Sequence, residues 1–100
     1  MMDIKYKEVE AQIYNHQLWV SETEPDRLKK IFDKQLINSG FTIINFTEHH
    51  FDTQGYTCFW LLAESHLAIH TFPENHKSYI ELSSCNLEKL EAFKKLHSLC

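Results

Sequence analysis

The sequence predicts an α+β fold, a two-layer sandwich in which one antiparallel β-sheet carries two helices on one face, in the order β-α-β-β-β-β-α. Residues 8–20 and four later segments alternate in polarity or are rich in β-branched and aromatic residues, as strands are. Two other segments, one in each half of the chain, have apolar residues at helical spacing. A chain of 100 residues makes one domain, which we take to span residues 1–100.

The first two elements are a strand and a helix. In EVEAQIYNHQLWV, the apolar residues Val9, Ala11 and Ile13 recur at every second position, which is the period of a strand. The following segment predicts a helix that is capped by Thr23 and has Pro25 in its first turn. The residues predicted to form its apolar face are Leu28, Ile31, Phe32 and Leu36.

Four further strands and a second helix follow. The runs FTIINF, YTCFWLLA, HLAIHTF and KSYIELSSC are β-branched or aromatic, and polar or proline-containing stretches separate most of them. Asn86 is predicted to cap the last helix. The inner side of that helix is predicted to consist of Leu87, Leu90, Phe93 and Leu96.

Side-chain alternation divides the last two strands between two faces of the sheet. The residues predicted to face the helices are Leu67, Ile69, Ile80 and Leu82. The opposite face is polar, ionisable and aromatic, and its predicted members are His66, His70, Phe72, Tyr79, Glu81, Ser83 and Cys85. If the turn at residues 73–76 closes a hairpin, paired residue numbers sum to about 150, which places Cys85 opposite Ser65.

Composition excludes several classes of protein. The net charge is −4 and the charges are scattered, whereas a nucleic-acid-binding protein needs a basic face. No stretch has the length of a membrane span, and no charged-then-apolar leader opens the chain. The three cysteines, Cys58, Cys85 and Cys100, are an odd number without regular spacing, which indicates reduced thiols. We therefore expect a cytoplasmic protein that binds neither nucleic acid nor membrane.

The run Glu64-Ser65-His66 is open to three interpretations. It can be a polar turn between strands, which is what such residues most often form. It can be part of a hydrolase triad, although the glycine-flanked nucleophile elbow is absent and adjacent strand residues point to opposite faces. The third interpretation is a serine that attacks its own backbone.

A longer motif favours the third interpretation. Residues 64–74, ESHLAIHTFPE, resemble the pattern ESH-[LIV]-x-IHTWPE that is typical of the bacterial S-adenosylmethionine decarboxylases, which are pyruvoyl enzymes. Cys85, twenty residues after Ser65, matches the same family, as does Gly55, ten residues before it. The resemblance runs from about Val9 to the end of the chain.

What the resemblance implies is a self-processing proenzyme that forms homodimers or higher homo-oligomers. Ser65 would attack the carbonyl of Glu64, and elimination from the resulting ester would leave fragments of 64 and 36 residues, the second beginning with a pyruvoyl group. A decarboxylase needs such a group because no ordinary side chain is an electron sink. The pyruvoyl carbonyl would form a Schiff base with S-adenosylmethionine, and the decarboxylated product would serve spermidine synthesis.

The resemblance also implies a role for each matched residue. His70 matches the base of processing, a task near neutrality for which histidine is the usual residue. Thr57 stands where the family usually has a serine that assists the rearrangement. Cys85 matches the residue that returns a proton to the substrate carbon. The matches to substrate-binding residues are Phe51 and Phe72, which would sandwich the adenine, and Glu74, which would bind the ribose; Phe72 replaces the usual tryptophan.

Departures from the family pattern leave alternatives open. Where the family usually reads D-[IL]-F-T-C-G, this chain reads ELSSCN. Other possible functions are decarboxylation of another amino acid, such as ornithine or arginine, or a non-catalytic homologue that regulates an active one. Taken singly, each matched residue also has an ordinary structural role, as a core, strand or turn residue. A small interaction module without any decarboxylase activity is a further alternative.

The seven histidines raise the question of a metal site. His66 and His70 share a strand face, but strand positions i and i+4 lie about 13 Å apart, which is too far to share one ion. We therefore expect no metal.

Overall fold

The computed structural model describes residues 3–97 and confirms the predicted α+β architecture. Its elements are β1 (Tyr14–Val20), α1 (Pro25–Asn38), β2 (Ile43–His50), β3 (Tyr56–Leu62), β4 (Ser65–Phe72), a 3₁₀ turn (Pro73–Asn75), β5 (Lys77–Ser84) and α2 (Leu87–Lys95). The five strands form one sheet in the order β1-β5-β4-β3-β2, and every neighbouring pair is antiparallel. Strands β2 to β5 are thus consecutive neighbours, and β1 adds to the free edge of β5.

Both helices pack on one face of the sheet, as predicted. One apolar cluster joins the buried residues of both helices to the buried face of the strands. Its helical members are Leu28, Phe32, Leu36, Leu90 and Phe93, and its strand members include Trp60, Leu67, Ile69, Ile80 and Leu82. The alternation prediction for β4 and β5 is therefore confirmed, since all four of its core residues are fully buried.

Three residues predicted on the inner helix faces are instead exposed. Ile31 is 38% exposed because Leu28, Phe32 and Leu36, spaced four residues apart, form the line that meets the sheet and leave Ile31 on the flank of α1. Leu87 and Leu96 are 45% and 39% exposed. They lie at the two ends of the short α2, beyond the turns that cover the core.

The N-terminus of α1 is capped by Glu24 rather than by Thr23. The Glu24 carboxylate accepts a hydrogen bond from the backbone N–H of Arg27 at 2.8 Å. Pro25 occupies the first helical position, as predicted, and a residue that directly precedes such a proline is the cap. The predicted cap of α2, Asn86, is confirmed, because its side chain accepts from the N–H of Lys89.

The first strand is shorter than predicted, because it begins at Tyr14 rather than at residue 8. Residues 3–13 have no regular secondary structure, and Val9 is 70% exposed. The reason is the length of the partner strand: Tyr14 pairs with Ser84, the last residue of β5. Beyond Ser84 the chain turns into α2, so the alternating residues before Tyr14 have no strand with which to pair.

The β4–β5 register differs by one residue from the prediction. Phe72 pairs with Lys77 across the 3₁₀ turn, so paired residue numbers sum to 149, and Ser65 lies opposite Ser84. The prediction that Cys85 lies opposite Ser65 is therefore wrong. The turn determines the register, because residues 73–76 remain unpaired between Phe72 and Lys77. His76 closes the turn in the left-handed conformation, with φ 54°.

Three further features bear on the kind of site this fold can hold. Neither helix is long and apolar enough to cross a membrane. Within residues 3–97, no group of three or more histidine, cysteine or acidic side chains is arranged to bind a metal ion. Cys58 and Cys85 are free thiols, and Cys100 lies outside the described residues.

Candidate functional site

The turn between β3 and β4 has a strained residue immediately before Ser65. Only Ala63 and Glu64 separate the paired residues Leu62 and Ser65. Glu64 has φ 62°, in the left-handed region that costs a residue with a side chain about 1–2 kcal/mol. Two-residue hairpin loops favour positive φ at their first central residue or at both, whereas here only the second has it. The peptide bond that would be cleaved thus follows a strained residue on an exposed turn.

Ser65 points toward the helices, on the same face as Leu67. Its side chain is buried, with 7% of the residue exposed, and its hydroxyl donates a hydrogen bond to Ser84 Oγ at 2.7 Å. Directly after β5, the backbone N–H of Cys85 donates to the carbonyl of Glu64 at 3.3 Å. Glu64, Ser65, Ser84 and Cys85 are named here the turn site.

A second group of predicted residues lines one pocket of about 320 Å³. This outer-face pocket is formed by Phe51, Gln54, Gly55, Tyr56, Thr57, His70, Thr71, Phe72 and Glu74. Five of these residues were assigned substrate-binding or processing roles by the family resemblance: Phe51, Thr57, His70, Phe72 and Glu74. They come from β3, β4, the β2–β3 loop and the 3₁₀ turn, and only the sheet brings them together.

Thr57 and His70 form the polar centre of the outer-face pocket. They are direct partners in the β3–β4 pair, and Thr57 Oγ1 lies 3.1 Å from His70 Nδ1. Both side chains project from the face of the sheet opposite the helices, since their strand neighbours Cys58 and Ile69 are fully buried. The hydroxyl therefore fixes the orientation of an exposed imidazole, which is an arrangement suited to proton transfer.

The β2–β3 loop holds Phe51 at the pocket. The N–H of Phe51 donates to the carbonyl of Gly55 at 3.0 Å and closes the loop. Gly55 has φ 106°, which favours glycine, and a Cβ there would stand 3.7 Å from the Phe51 ring. Phe51 is 52% exposed and Phe72 is 37% exposed, so both rings offer free surface to a planar ligand. A tilted contact with Trp19, at 5.8 Å between centroids, supports the ring of Phe72.

The chain does not bring its two groups of predicted residues together. Ser65 is the first residue of β4 and His70 is the sixth, so about 16 Å of strand separates them. Their side chains also point to opposite faces of the sheet, one buried and the other exposed. Cys85 belongs to the turn site, through its backbone, and Thr57 belongs to the outer-face pocket.

The two free thiols differ in character. Cys58 is buried in the core, and burial raises the pKa of its thiol to about 12. Burial also raises the pKa of the neighbouring Tyr56, whose hydroxyl donates to Glu48 at 2.5 Å. Cys58 is therefore a protonated core residue, whereas Cys85 is exposed and directly follows β5. Of the two, Cys85 is the one available for chemistry.

Sequence reasoning missed Ser84, which the structure brings into contact with the Ser65 hydroxyl. A signal was available, because the family pattern has a threonine at this position and the chain retains a hydroxyl there. The significance of that hydroxyl depends on the β4–β5 register, which the sequence estimate misplaced by one residue.

Comparison with known proteins agrees with the motif. The sequence model of the S-adenosylmethionine decarboxylase family matches residues 11–99. An S-adenosylmethionine decarboxylase proenzyme of Prochlorococcus marinus (strain MIT 9313) is 47% identical over 47 residues, which cover 47% of this chain and 38% of that protein. A proenzyme of the same name from Methanococcus vannielii is 34% identical over 73 residues, which cover 69% of this chain and 60% of that protein.

A solved structure shows the same fold. The adenosylmethionine decarboxylase from Aquifex aeolicus VF5 matches with a TM-score of 0.66 at 20% identity, over 83% of this chain and 72% of that one. The chain spans less than half the length of the Prochlorococcus relative. Because the family model matches nearly the whole chain, the sequence resemblance is confirmed: this chain belongs to the S-adenosylmethionine decarboxylase family.

Proposed function

We propose that this chain is a pyruvoyl-dependent S-adenosylmethionine decarboxylase, which forms its own cofactor by cleavage between Glu64 and Ser65. Its product would supply aminopropyl groups for spermidine synthesis. Membership of the family and the pairing of a turn site with an outer-face pocket support this proposal. The free thiols Cys58 and Cys85 support a cytoplasmic setting, where thiols stay reduced.

The observation that carries the proposal is the environment of the Glu64 carbonyl group, namely its backbone conformation and its hydrogen bond. It belongs to a residue in a strained left-handed conformation, accepts a hydrogen bond from the Cys85 N–H, and directly precedes a serine hydroxyl. In the first step, Ser65 Oγ bonds to the carbonyl carbon of Glu64 while the bond from that carbon to the Ser65 nitrogen breaks. The hydroxyl proton passes to the released amine, so an amide becomes an ester with no other reactant.

The second step breaks the ester by elimination. The proton on Ser65 Cα is removed, the Cβ–O bond breaks, and Glu64 leaves as the carboxylate of a new C-terminus. Water then displaces ammonia from the dehydroalanine that remains, which leaves a ketone at residue 65. The surroundings of Ser65 fit such a group, because the cross-strand pair with Ser84 holds this position at the start of β4. The pyruvoyl group supplies the electron sink that decarboxylation requires.

The outer-face pocket supports the choice of substrate. Phe51 and Phe72 present half-exposed rings on which an adenine can stack. The Glu74 carboxylate lines the same pocket and can accept hydrogen bonds from ribose hydroxyls. The volume of about 320 Å³ lies at the lower end of the range for small-molecule sites. Cys85, exposed beside the turn, would return a proton to the substrate carbon.

The distance between the two groups indicates that an active site is completed by a second copy of the chain. His70 cannot act on Ser65 of the same chain, because about 16 Å and opposite sheet faces separate them. In a homodimer, the outer-face pocket of one copy can lie against the exposed part of the other copy's turn site, at Glu64 and Cys85. The sheet face that carries the pocket is left uncovered by the helices, so it is available for such an arrangement.

The test is the intact mass of the purified chain under denaturing conditions, followed by an assay for carbon dioxide release. We expect two fragments, residues 1–64 and residues 65–100, the second lacking a free amine, and turnover of S-adenosylmethionine. Ser65→Ala should remain a single chain without activity. An uncleaved wild-type chain would favour a non-catalytic homologue, and turnover of ornithine or arginine alone would reject S-adenosylmethionine as substrate.

A further inference from the structure

Two buried serine hydroxyls meet between β4 and β5 at the cleavage position. Ser65 and Ser84 are directly opposite in the register, and they are 7% and 0% exposed. The Ser65 hydroxyl donates to Ser84 Oγ at 2.7 Å, a typical length for a hydrogen bond between hydroxyls. This bond fixes the rotation of the Ser65 side chain about its Cα–Cβ bond, and so fixes where its oxygen lies.

The junction of β5 and α2 fixes the direction of that hydrogen bond. Ser84 Oγ accepts from the N–H of Asn86 at 2.9 Å and lies 3.3 Å from the Asn86 carbonyl, to which its own proton can point. Asn86 in turn caps α2 through the N–H of Lys89, at 3.0 Å. Ser84 is therefore anchored as an acceptor toward Ser65, because its own proton is directed elsewhere.

The residue after Ser84 contacts the other reacting group. The Cys85 N–H donates to the carbonyl of Glu64, where negative charge develops as a hydroxyl attacks. Ser84, the last residue of β5, and Cys85 directly after it thus hold the attacking oxygen and the attacked carbonyl. Because both contacts follow from one register, a shift of β5 by one residue would lose both.

We propose that Ser84 is a further catalytic residue of self-cleavage, which holds Ser65 Oγ and accepts its hydroxyl hydrogen bond while that oxygen attacks the Glu64 carbonyl carbon. This inference rests on the proposed self-cleavage. In the step concerned, the Ser65 Oγ–Glu64 carbon bond forms, the bond from that carbon to the Ser65 nitrogen breaks, and the proton moves from Oγ to that nitrogen. Ser84 is unchanged at the end of the step.

The test compares cleavage rates of full-length chains made in a cell-free system and followed by intact mass. We expect Ser84→Ala to slow cleavage about tenfold or more, which corresponds to about 1.4 kcal/mol of lost transition-state stabilisation. Ser84→Thr, which keeps the hydroxyl, should restore most of the rate. Ser83→Ala is the matched control, because Ser83 is also buried in the same strand but its hydroxyl donates to the Asn15 side chain.

A second measurement separates a chemical role from a structural one. Hydroxylamine cleaves esters readily and amides slowly, so it releases fragments from a chain that is blocked after ester formation. We expect it not to accelerate fragment release from Ser84→Ala, because that variant is slowed before the ester forms. If Ser84→Ala has a lowered melting temperature, lost stability is a second explanation for its slower cleavage. The nearly isosteric Ser84→Cys then decides, and we expect it to show the same slowing, since sulfur is a weak acceptor.

The outcomes are distinguishable. If the wild-type chain is cleaved and both Ser84→Ala and Ser84→Cys cleave at the wild-type rate or faster, the role of Ser84 is overturned while self-cleavage stands. Faster fragment release from Ser84→Ala with hydroxylamine than without it would also overturn it, since the ester would then accumulate without this hydroxyl. A wild-type chain that is never cleaved would overturn both proposals.

Discussion

At the scale of single residues, Glu64 combines a strained backbone with a position next to Ser65, the serine proposed to attack it. Its left-handed conformation, with φ 62°, is held by the two-residue turn and by the hydrogen bond from Cys85. Such strain is retained where the surrounding structure enforces it, and it is frequent at functional sites. Conversion of the Glu64–Ser65 amide to an ester would give a way to relieve it, because an ester rotates more freely than an amide.

This strain predicts the effect of Glu64→Gly in the uncleavable Ser65→Ala background. Glycine adopts positive φ without steric cost but gains entropy in the unfolded chain, so we expect the free energy of unfolding to rise by about 0.5–1 kcal/mol. Urea denaturation measures the change. Ala63→Gly, at the neighbouring turn residue without positive φ, is the matched control and should lower the free energy of unfolding. Equal effects at both positions would argue against strain at Glu64.

At the scale of elements, an aromatic and histidine cluster connects the edge strand β1 to α2. The His16 ring packs edge-on against Phe93 at 6.3 Å, and the His97 ring does so at 4.7 Å. His97 Nε2 lies 2.7 Å from Gln35 Oε1 on α1. Burial lowers the pKa of both imidazoles; the charge of Lys94 lowers the pKa of His16 further, and His16 does the same to His97.

These pKa shifts predict that the fold is destabilised by mild acid. Below pH about 6.5, the unfolded chain protonates both imidazoles while the folded chain resists, so the unfolded state binds more protons. Stability should therefore fall as the pH is lowered from 7 toward 5, measured as the melting temperature of the Ser65→Ala chain. His16→Gln should flatten this dependence, whereas His49→Gln, on the exposed face of β2, should not. Equal slopes in all three chains would contradict the interpretation.

At the scale of the whole molecule, the sheet has one face covered by both helices and one face without them. The outer-face pocket opens on the second face, while the turn site lies at the far end of β4. The pocket and the turn site of one copy therefore cannot act together, because they lie at opposite ends of the strand and on opposite faces of the sheet. This separation is the physical basis for proposing that the active form is a homodimer.

Co-expression of two inactive variants tests the homodimer. A Ser65→Ala chain keeps the pocket with His70, and a His70→Ala chain keeps the turn site. If each site draws on two copies, we expect a tagged His70→Ala chain to be cleaved at least about tenfold faster with the Ser65→Ala chain than alone. Intact mass of the tagged chain measures it. Failure of the second chain to accelerate cleavage would contradict a shared site.

Local sequence patterns were sufficient for most elements, and the family resemblance named as site residues five of the nine that line the outer-face pocket. Alternation identified the apolar core residues of β4 and β5, because a strand exposes its side chains to each face in turn. The motif at residues 64–74 identified the family, since its spacing is preserved within a single strand and turn. The predicted start of β1 was wrong because a strand extends only as far as its neighbour. That neighbour is β5, which is distant in sequence.

The sequence by itself determined the fold class, the family and the candidate chemistry, because each depends on residue types at short spacings. Only the tertiary structure decided which residues meet. The register of β5 placed Ser84 rather than Cys85 against Ser65, through the length and left-handed closure of the turn before it. The sheet likewise put His70 out of reach of Ser65, because five residues along a rigid strand cannot be folded back.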